Sequence, residues 1–421
     1  MSDTKKVLLL IPHMVGGGAE RVAALLMNQF AASGYATEVA LTADRTQDVV
    51  RCDLDENTPL TLLPEILDAD SLAQKIRYGL FLKIYAQVFC NLFELFRLPV
   101  PADLAKASLY VQYYRGIAWL REKLKAEPDT AVIAFLQPAI PITMLASRGL
   151  PNRVIFSDRC DPEMLMKKRY GRKFIEKYYR RADAAVFQSG SARDVYPVEI
   201  AQKGVVIPNL LKSGLPEPYT GEHSKRIVTF CRISYQKNLP LLVDAFALFH
   251  KTHPDYTLAV YGDAVNADDK NAERELHARI DSHRLNEAVS LLPFSKTIHE
   301  EILKDAMYVN SSDYEGLSNA MIEAMAIGLP SVCTDCPAGG ARAMIRDGEN
   351  GYLCENDPKD LARVIRGIME DPETTGRIGE NARNTIPVPW SKVLETAAER
   401  YERLVALGKE GKLKDKRRRI V

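Results

Sequence analysis

The chain has 421 residues, of which 46% are hydrophobic and 26% are charged, a composition that is ordinary for a globular protein. That length is enough for two or three domains, each with a core of its own. The formal net charge of +1 argues against a general nucleic-acid binder, which is usually basic overall.

The first half of the chain is predicted to alternate between strands and helices. Residues 7–11 are a continuous apolar run, typical of a buried strand. A glycine-rich turn, an amphipathic helix at about 19–33 and a second strand at 39–41 follow it, which makes a βαβ unit. Further strands are predicted at 131–136, 153–156, 184–187 and 205–207.

A polar stretch rich in Pro and Gly, residues 212–225, is the best candidate for a linker. After it, strands are predicted at 227–230, 257–261, 289–292, 307–309 and 331–333, and helices at 239–250, 273–283, 319–327 and 358–370. Two successive α/β halves predict twin doubly wound domains that face a cleft. We place these domains at 1–210 and 211–385, followed by a segment at 386–421 that contains a helix at 390–407 and a basic tail.

The stretch YEGLSNAMIEAMAIGLP, residues 314–330, places Glu315 and Glu323 eight residues apart around an apparent helix. Ser318 is a residue type that caps helices, and the residues after it are apolar on nearly all sides, which indicates a buried helix. Glu323 is then a buried carboxylate that needs a partner, and Gly316 leaves backbone N–H groups at a helix start that favours anions. The pattern favours a ligand with both hydroxyls and phosphate; two glutamates on a solvated helix face are the simpler alternative.

Two more loops carry residue types that bind phosphate. Gly17 and Gly18 lie between a strand and a helix, where backbone amides can approach an anion closely. A plain tight turn and a dinucleotide site are the alternatives, and the dinucleotide pattern is incomplete because Arg21 occupies its third small position. Arg232 and Lys237 follow the first strand of the second half, at the carboxyl end where α/β proteins bind ligands. That placement favours neutralisation of a diphosphate over a role as plain surface charges.

Five segments together resemble glycosyltransferase family 4, a family of retaining sugar-nucleotide transferases with the GT-B fold. They are GGGAERV (16–22), VIPNL (206–210), RISYQKNLPLLVDAF (232–246), EGLSNAMIEAMAIGLP (315–330) and DGENGYLC (347–354). The resemblance implies an α/β chain with two Rossmann-like domains facing a cleft and a C-terminal helix that packs back on the N-terminal domain. It also implies transfer of a hexose or N-acetylhexosamine from a UDP- or GDP-linked donor to a glycan acceptor of a surface polysaccharide (capsule, exopolysaccharide or lipopolysaccharide).

The same resemblance implies a role for each motif residue. Glu323 would hold the ribose hydroxyls of the nucleotide, and Glu315 would reach the donor sugar near the reacting carbon. The backbone N–H groups of Gly316, Leu317 and Ser318 would bind the diphosphate, Arg232 and Lys237 would neutralise it, and the loop at Gly17 and Gly18 would close on the ligand. Glu315, Arg232 and Lys237 are thus the expected catalytic residues, and no cofactor or metal is expected.

One departure from the family leaves the donor sugar open. Many relatives carry a histidine in the middle of the N-terminal half that contacts the sugar, whereas this chain has none between 14 and 222. We expect Gln137, or Arg159 and Asp161, to occupy that space.

Two segments bear on the acceptor. Residues 75–98 are apolar apart from one narrow polar stripe, so a helix there is either wedged in a core or lies in a membrane interface beside a lipid-linked acceptor. Residues 166–183 carry eight cations, which form either a solvated face or a site for anionic lipid or an acceptor diphosphate. Lys167, Lys168, Arg169, Arg172 and Lys173 are assigned to the acceptor or membrane side. A GT-B sugar-nucleotide epimerase and a non-catalytic sugar-nucleotide-binding protein are the alternative functions.

The cysteines and the first residues bear on location. The seven cysteines are odd in number and scattered, which is typical of reduced intracellular thiols. Cys333 and Cys336 form a lone C-x-x-C, for which zinc or redox use is the minor alternative. The chain starts without a visible secretory signal and has no apolar run of about 20 residues. We therefore expect a cytoplasmic protein, with peripheral attachment to the inner face of the plasma membrane left open.

Overall fold

The computed structural model describes residues 5–14, 18–42, 54–63, 88, 92, 102–159, 162–166, 171–209, 211, 214–336, 339–386 and 399–406. The chain divides into two compact units. The first comprises Met1–Leu210 with Glu395–Val421, and the second comprises Leu211–Leu394.

The first unit is built around a parallel sheet. Its strands are β1 Lys6–Ile11, β2 Ala36–Leu41, β3 Leu60–Leu62, β4 Ala131–Phe135, β5 Val154–Ser157, β6 Ala184–Phe187 and β7 Gly204–Val206, in the spatial order β3-β2-β1-β4-β5-β6-β7. Its helices are Gly18–Ala32, Ala102–Ala126, Ala139–Ala146, Pro162–Met166, Arg172–Tyr178, Gly190–Asp194 and Val198–Ala201, with a 3₁₀ turn at Tyr179–Arg181 and helical residues at 399–406.

Strand β1 explains the apolar run at the start of the chain. Leu9 is paired with Val39 of β2 on one side and with Ile133 of β4 on the other. A central parallel strand is covered on both faces, so both sets of its side chains are buried. The helix Ala139–Ala146 is buried over its whole length and packs in the same core.

The second unit repeats the design. Its strands are β8 Arg226–Phe230, β9 Thr257–Tyr261, β10 Val289–Leu292, β11 Met307–Asn310, β12 Ser331–Thr334 and β13 Tyr352–Cys354, in the parallel order β10-β9-β8-β11-β12-β13. Its helices are Leu239–His250, Ala267–His283, Ile298–Glu301, Asn319–Ala326, Pro358–Met369 and Pro372–Thr385, with a 3₁₀ turn at Tyr235–Lys237. The strand order reverses between β8 and β11, which makes the carboxyl edge at that point the expected ligand site of such a sheet.

Every strand predicted from the sequence is present, with ends that differ by three residues at most. The short strands β3 and β13 and the helix Pro372–Thr385 were not predicted, because three-residue strands and a Gly-containing polar helix have weak patterns. The helix Ala267–His283 begins six residues earlier than predicted. Its start is set by Asn266, whose side chain accepts a hydrogen bond from the backbone N–H of Asp269.

The C-terminal helix packs on the first unit, as the resemblance implied. Arg153 Nε donates to the backbone oxygen of Leu404 at 2.7 Å, and Arg400 donates to the backbone oxygen of Val206 at 3.1 Å. Tyr401 is fully buried. Helical residues 399–406 therefore complete the first unit although they follow the second in sequence.

Several predictions fall outside the described part of the chain. They concern Gly17, Asp161, Lys167, Lys168, Arg169, the basic tail and nearly all of the segment 75–98. Within that segment, Val88 and Leu92 are helical and exposed. No helix among the described residues is long and apolar enough to cross a bilayer.

Candidate functional site

The predicted site residues of the second unit come together at the carboxyl edge of its sheet. Arg232 and Lys237 lie after β8, and Glu315 lies in the loop after β11. Because β8 and β11 are neighbours at the reversal of strand order, their loops meet where α/β proteins bind ligands.

Lys237 and Glu315 form a close ion pair. The distance from Lys237 Nζ to Glu315 Oε2 is 2.6 Å, and the two side chains are only 17% and 16% exposed. Ser312 Oγ donates to the same carboxylate oxygen at 3.1 Å. Burial alone would lower the pKa of Lys237, but the Glu315 carboxylate outweighs it and the net pKa is raised. The ammonium therefore stays charged at neutral pH.

Backbone contacts fix the two loops against each other. Gln236 Nε2 donates to the backbone oxygen of Tyr314 at 2.9 Å, and the N–H of Asp313 donates to the backbone oxygen of Gln236 at 3.0 Å. Ser311 Oγ donates to the backbone oxygen of Lys237 at 2.9 Å. The ion pair thus lies on a braced pair of loops.

Arg232 is held more loosely. Its side chain is 53% exposed, and its Nε lies 3.8 Å from Oδ2 of Asp269, which is buried at the start of a helix. Gly262 supports this loop from β9: its φ is +145°, and a Cβ built there would lie 1.8 Å from the backbone oxygen of Cys231. Only glycine fits that approach, and no motif in the sequence marks this position.

The helix start at 316–318 is formed as predicted. Ser318 caps the helix Asn319–Ala326, and its Oγ accepts a hydrogen bond from the N–H of Met321 at 3.3 Å. Gly340, in the loop after β12, packs closely against the helix start. A Cβ on Gly340 would lie 1.7 Å from the backbone oxygen of Gly316. A helix start with first-turn N–H groups and an adjacent Lys237 is suited to an anion.

Glu323 is buried, as the sequence predicted, and its partner is a histidine that the sequence did not reveal. Glu323 is 3% exposed as a residue, and His299 Nε2 lies 3.0 Å from its Oε2. His299 belongs to the short helix Ile298–Glu301 and is itself buried. The only signal in the sequence was that a buried carboxylate needs a partner.

In the first unit, Gly18 begins the helix Gly18–Ala32 at the carboxyl end of β1. His13 and Glu20 lie there as well, with 3.2 Å between Nδ1 and Oε1. Neither was identified from the sequence.

Arg159 does not reach outward to a sugar. Its guanidinium is buried and donates to Ser157 Oγ at 2.9 Å, to Asn209 Oδ1 at 2.7 Å and to the hydroxyl of Tyr401 at 2.8 Å. Its bonds are internal, so the alternative that places Arg159 together with Asp161 in the sugar space is wrong for Arg159. Gln137 keeps that expectation open: its Nε2 donates to the Tyr179 hydroxyl, and its Oε1 has no hydrogen-bond partner in the described part of the chain.

The cations assigned to the acceptor or membrane side are only partly described. Arg172 and Lys173 begin the helix Arg172–Tyr178 and are exposed. Lys177 Nζ and the Arg181 guanidinium lie over the Tyr178 ring, 5.8 Å and 5.0 Å from its centroid. The described cations of this basic segment are therefore exposed on the first unit.

The thiols in and after strand β12 and in strand β13 of the second unit are buried and reduced. Cys333 and Cys354 are free cysteines. Burial raises the pKa of the Cys333 thiol well above its usual value and that of Cys354 to about 12. Such thiols are protonated at neutral pH, which does not suit a nucleophile. Across the described ranges, no group of three or more His, Cys, Asp or Glu side chains is placed to hold a metal ion.

The chain is similar in sequence to known proteins. Residues 218–385 match the family model described as "Glycosyl transferases group 1". The N-acetylgalactosamine-N,N'-diacetylbacillosaminyl-diphospho-undecaprenol 4-alpha-N-acetylgalactosaminyltransferase of Campylobacter jejuni is 26% identical over 258 residues, which are 58% of this chain and 67% of that protein. The amylovoran biosynthesis glycosyltransferase AmsD of Erwinia amylovora is 31% identical over 136 residues, 32% of this chain and 36% of that protein. This chain matches only 19% to 48% of the length of several other relatives.

Solved structures resemble the whole chain. Anabaena HepE, in complex with UDP and glucose, has a TM-score of 0.70 at 19% identity and covers 95% of this chain and 99% of its own. TarM of S. aureus, in a complex that includes UDP, has a TM-score of 0.69 at 15% identity and covers 96% of this chain and 100% of its own. The predicted fold class, GT-B with two Rossmann-like doubly wound units, is confirmed.

Proposed function

We propose that this chain, whose residues 218–385 match the family model of the group 1 glycosyltransferases, is a retaining glycosyltransferase of family 4. Its reaction would be transfer of a hexose or N-acetylhexosamine from a UDP-linked donor to a lipid-linked glycan in the biosynthesis of a surface polysaccharide. One observation carries the proposal: the ion pair of Lys237 and Glu315 lies at the reversal of strand order beside the anion-accepting helix start at 316–318.

Relatives support the choice of donor and acceptor. HepE and TarM were both solved with UDP. The Campylobacter relative acts, by its name, on an acceptor attached to diphospho-undecaprenol, and AmsD serves in amylovoran biosynthesis. A UDP-sugar and a polyprenyl-diphosphate-linked acceptor are therefore the first pair to test, and GDP-linked donors are the second.

The chemistry follows from where charge develops. As the bond between the sugar carbon and the diphosphate oxygen breaks, negative charge grows on the leaving diphosphate and positive charge on the sugar carbon. Lys237, Arg232 and the N–H groups at 316–318 stabilise the first, and the Glu315 carboxylate stabilises the second. The acceptor oxygen attacks on the face that the diphosphate leaves, and its proton passes to the leaving phosphate oxygen, so the configuration is retained and Glu315 forms no covalent bond.

In our proposal, no metal is needed to stabilise the negative charge on the leaving diphosphate. Hydrogen bonds to charged groups contribute roughly 1.5–3 kcal/mol each, so two cations and a helix start together match the stabilisation that a divalent metal supplies in other transferases. We propose that the enzyme works without a cofactor.

The test is an assay with the purified full-length chain. UDP-, GDP- and ADP-sugars are supplied with and without a polyprenyl-diphosphate-linked glycan, and free nucleotide diphosphate is measured. A transferase releases the diphosphate only when the acceptor is added, whereas an epimerase converts the donor sugar without release and a binding protein does neither. The product's anomeric configuration tests retention, and an arm in excess EDTA tests metal independence; full inhibition by EDTA, restored by magnesium or manganese, would contradict the latter.

We also propose that the enzyme acts at the cytoplasmic face of the plasma membrane, attached peripherally. The exposed cations around Arg172 and Lys173 support this, because basic residues near an anionic lipid surface are attracted to it.

A further inference from the structure

We propose that His299 is a positioning residue for nucleotide binding: it donates its Nε2–H to Glu323 and fixes the carboxylate that holds the ribose hydroxyls. This inference rests on the proposed function, in which Glu323 binds the ribose. Nothing in the sequence motifs assigns a role to His299.

The contact is close and enclosed. His299 Nε2 lies 3.0 Å from Glu323 Oε2, and the side chains are 7% and 4% exposed. Ile298 and Ile302, on either side in the chain, are buried and anchor the short helix in the core. The ring of Phe230, from β8, meets the imidazole edge-on, with 6.1 Å between the ring centroids. The imidazole therefore has a fixed orientation.

The chemistry of the pair fixes the direction of the hydrogen bond. An ionised carboxylate only accepts hydrogen bonds, so the imidazole nitrogen that faces it carries the proton. A carboxylate has about four acceptor sites, so a bond from His299 is compatible with hydroxyl donors of a ligand. Without His299, Glu323 would lose a buried hydrogen-bond partner and its fixed orientation. Both losses would weaken the binding of the ribose hydroxyls in the ground state.

The placement in the fold supports a role in the site rather than in the core alone. Glu323 lies on the helix Asn319–Ala326, whose start carries the proposed diphosphate-binding N–H groups. His299 approaches it from the helix Ile298–Glu301, between β10 and β11. The contact between Glu323 and His299 thus links the helix Asn319–Ala326 to the segment that connects β10 with β11.

The experiment compares two nearly isosteric variants, His299→Gln and His299→Asn. The amide nitrogen of Gln can take the place of Nε2 and still donate to Glu323, whereas the shorter Asn cannot reach. His277→Asn, at an exposed histidine of the helix Ala267–His283, is the matched control. Binding of UDP and of 2',3'-dideoxy-UDP is measured by calorimetry for each full-length protein, and thermal unfolding without nucleotide is recorded.

We expect His299→Asn to weaken UDP binding about 10- to 100-fold, the effect of losing a hydrogen bond to a charged group. Dideoxy-UDP should bind the unchanged protein more weakly than UDP does. Its affinity should change less than twofold in every variant, because that nucleotide has no ribose hydroxyls for Glu323 to hold. His299→Gln should stay within about threefold of the unchanged protein for UDP. In steady-state assays the His299→Asn variant should raise the KM for the donor and leave kcat within about twofold.

Two results would overturn the inference while the proposed function stands. One is equal weakening of UDP and dideoxy-UDP in the Asn variant, which would mean general damage to the site. The other is unchanged UDP affinity in that variant. Failure of the unchanged protein to bind UDP, or to prefer it over dideoxy-UDP, would instead overturn the proposed ribose role of Glu323 and this inference with it.

Discussion

Glu315 and Glu323 lie near the same helix start, yet their surroundings prepare them for different tasks. Glu315 is paired with the charged Lys237 and remains partly accessible, so it can act on a sugar that gains positive charge. Glu323 is enclosed and faces a histidine, so it is suited to a fixed grip on neutral hydroxyls. The difference between the two residues lies in their partners, and it can be measured.

We expect Glu315→Gln to lower kcat about 100-fold or more and to change the KM for the donor by less than about threefold, because its interaction strengthens only in the transition state. Glu323→Ala should instead raise that KM about 10- to 100-fold. Initial rates at saturating acceptor measure both, with Glu349→Gln, at an exposed residue, as control. Equal loss of donor affinity in both variants would remove the division of roles.

A glycine also contributes to the site. We expect Gly340→Ala to weaken donor binding at least about tenfold, because an added Cβ would collide with the backbone oxygen of Gly316 and displace the helix start. Gly367→Ala is the matched control, since a Cβ there meets nothing within 4 Å. Titration of both variants with UDP checks this, and equal affinity in the two would show that the loop after β12 adapts without disturbing the site.

At the scale of elements, two buried charges each tie helices and strands together within their own unit. Arg159, at the carboxyl end of β5, holds the C-terminal helix through the Tyr401 hydroxyl. Asp305, just before β11, holds Arg226 at the start of β8 through a 2.8 Å bond from Nε to Oδ1. Each is costly to bury, so each makes stability depend on its partners.

Loss of the Tyr401 hydroxyl should destabilise the first unit. We expect Tyr401→Phe to lower the free energy of unfolding by about 1–3 kcal/mol, because a donor of the buried Arg159 would lose its acceptor. Tyr235→Phe, whose hydroxyl bonds to the exposed Glu275, should change it by less than about 0.5 kcal/mol. Urea unfolding measures both. Equal small effects would mean that water or another group replaces the hydroxyl.

Asp305 should make the second unit less stable as the pH rises. Burial raises its pKa to about 6, although Arg226, Ser224 and His223 lower it. The folded protein therefore binds the proton more tightly than the unfolded chain does, and stability falls as the pH rises from the unfolded pKa near 4 through 6. Relative to Asp305→Asn, the free energy of unfolding of the unchanged protein should fall by about 2 kcal/mol between pH 4 and 7. Urea titrations at four pH values check the difference, and a parallel pH dependence of the two proteins would exclude the effect.

At the scale of the whole molecule, the two units carry different parts of the proposed work. The second unit holds the residues proposed to bind the donor, and the first carries the exposed cations proposed to face the membrane and its acceptor. Substitutions that weaken membrane attachment through the first unit should therefore leave UDP binding by the second unit unchanged.

We expect the double substitution of Arg172 and Lys173 by Gln to weaken binding to anionic vesicles about tenfold at low salt, since a basic residue near such a surface contributes about 1 kcal/mol at best. UDP binding should be unchanged. Replacement of Lys270 and Lys359, which are exposed on the second unit, is the matched control. Sedimentation with neutral and anionic vesicles at low and high salt measures attachment, and equal binding of the two double variants would contradict a membrane-facing role for the basic segment.

The sequence by itself determined most of the strands and the site motif, because these depend on local patterns. Apolar runs predicted the strands, and a capping residue before an apolar helix predicted the buried Glu323 and the N–H groups at 316–318. The loop after β8, with Arg232 and Lys237, was correctly placed at the carboxyl edge of a parallel sheet, since that edge follows from the order of strands and helices alone.

Only the tertiary structure decided which side chains meet. Glu323 is 24 residues from His299, Glu315 is 78 from Lys237, and Arg159 is 242 from Tyr401. Arg159 was expected to face a sugar, and its burial against the C-terminal helix could not be inferred because no local pattern encodes where a distant helix returns. Partners so far apart are brought together by sheet order and core packing, and the pairing in turn sets the charge and orientation of each group.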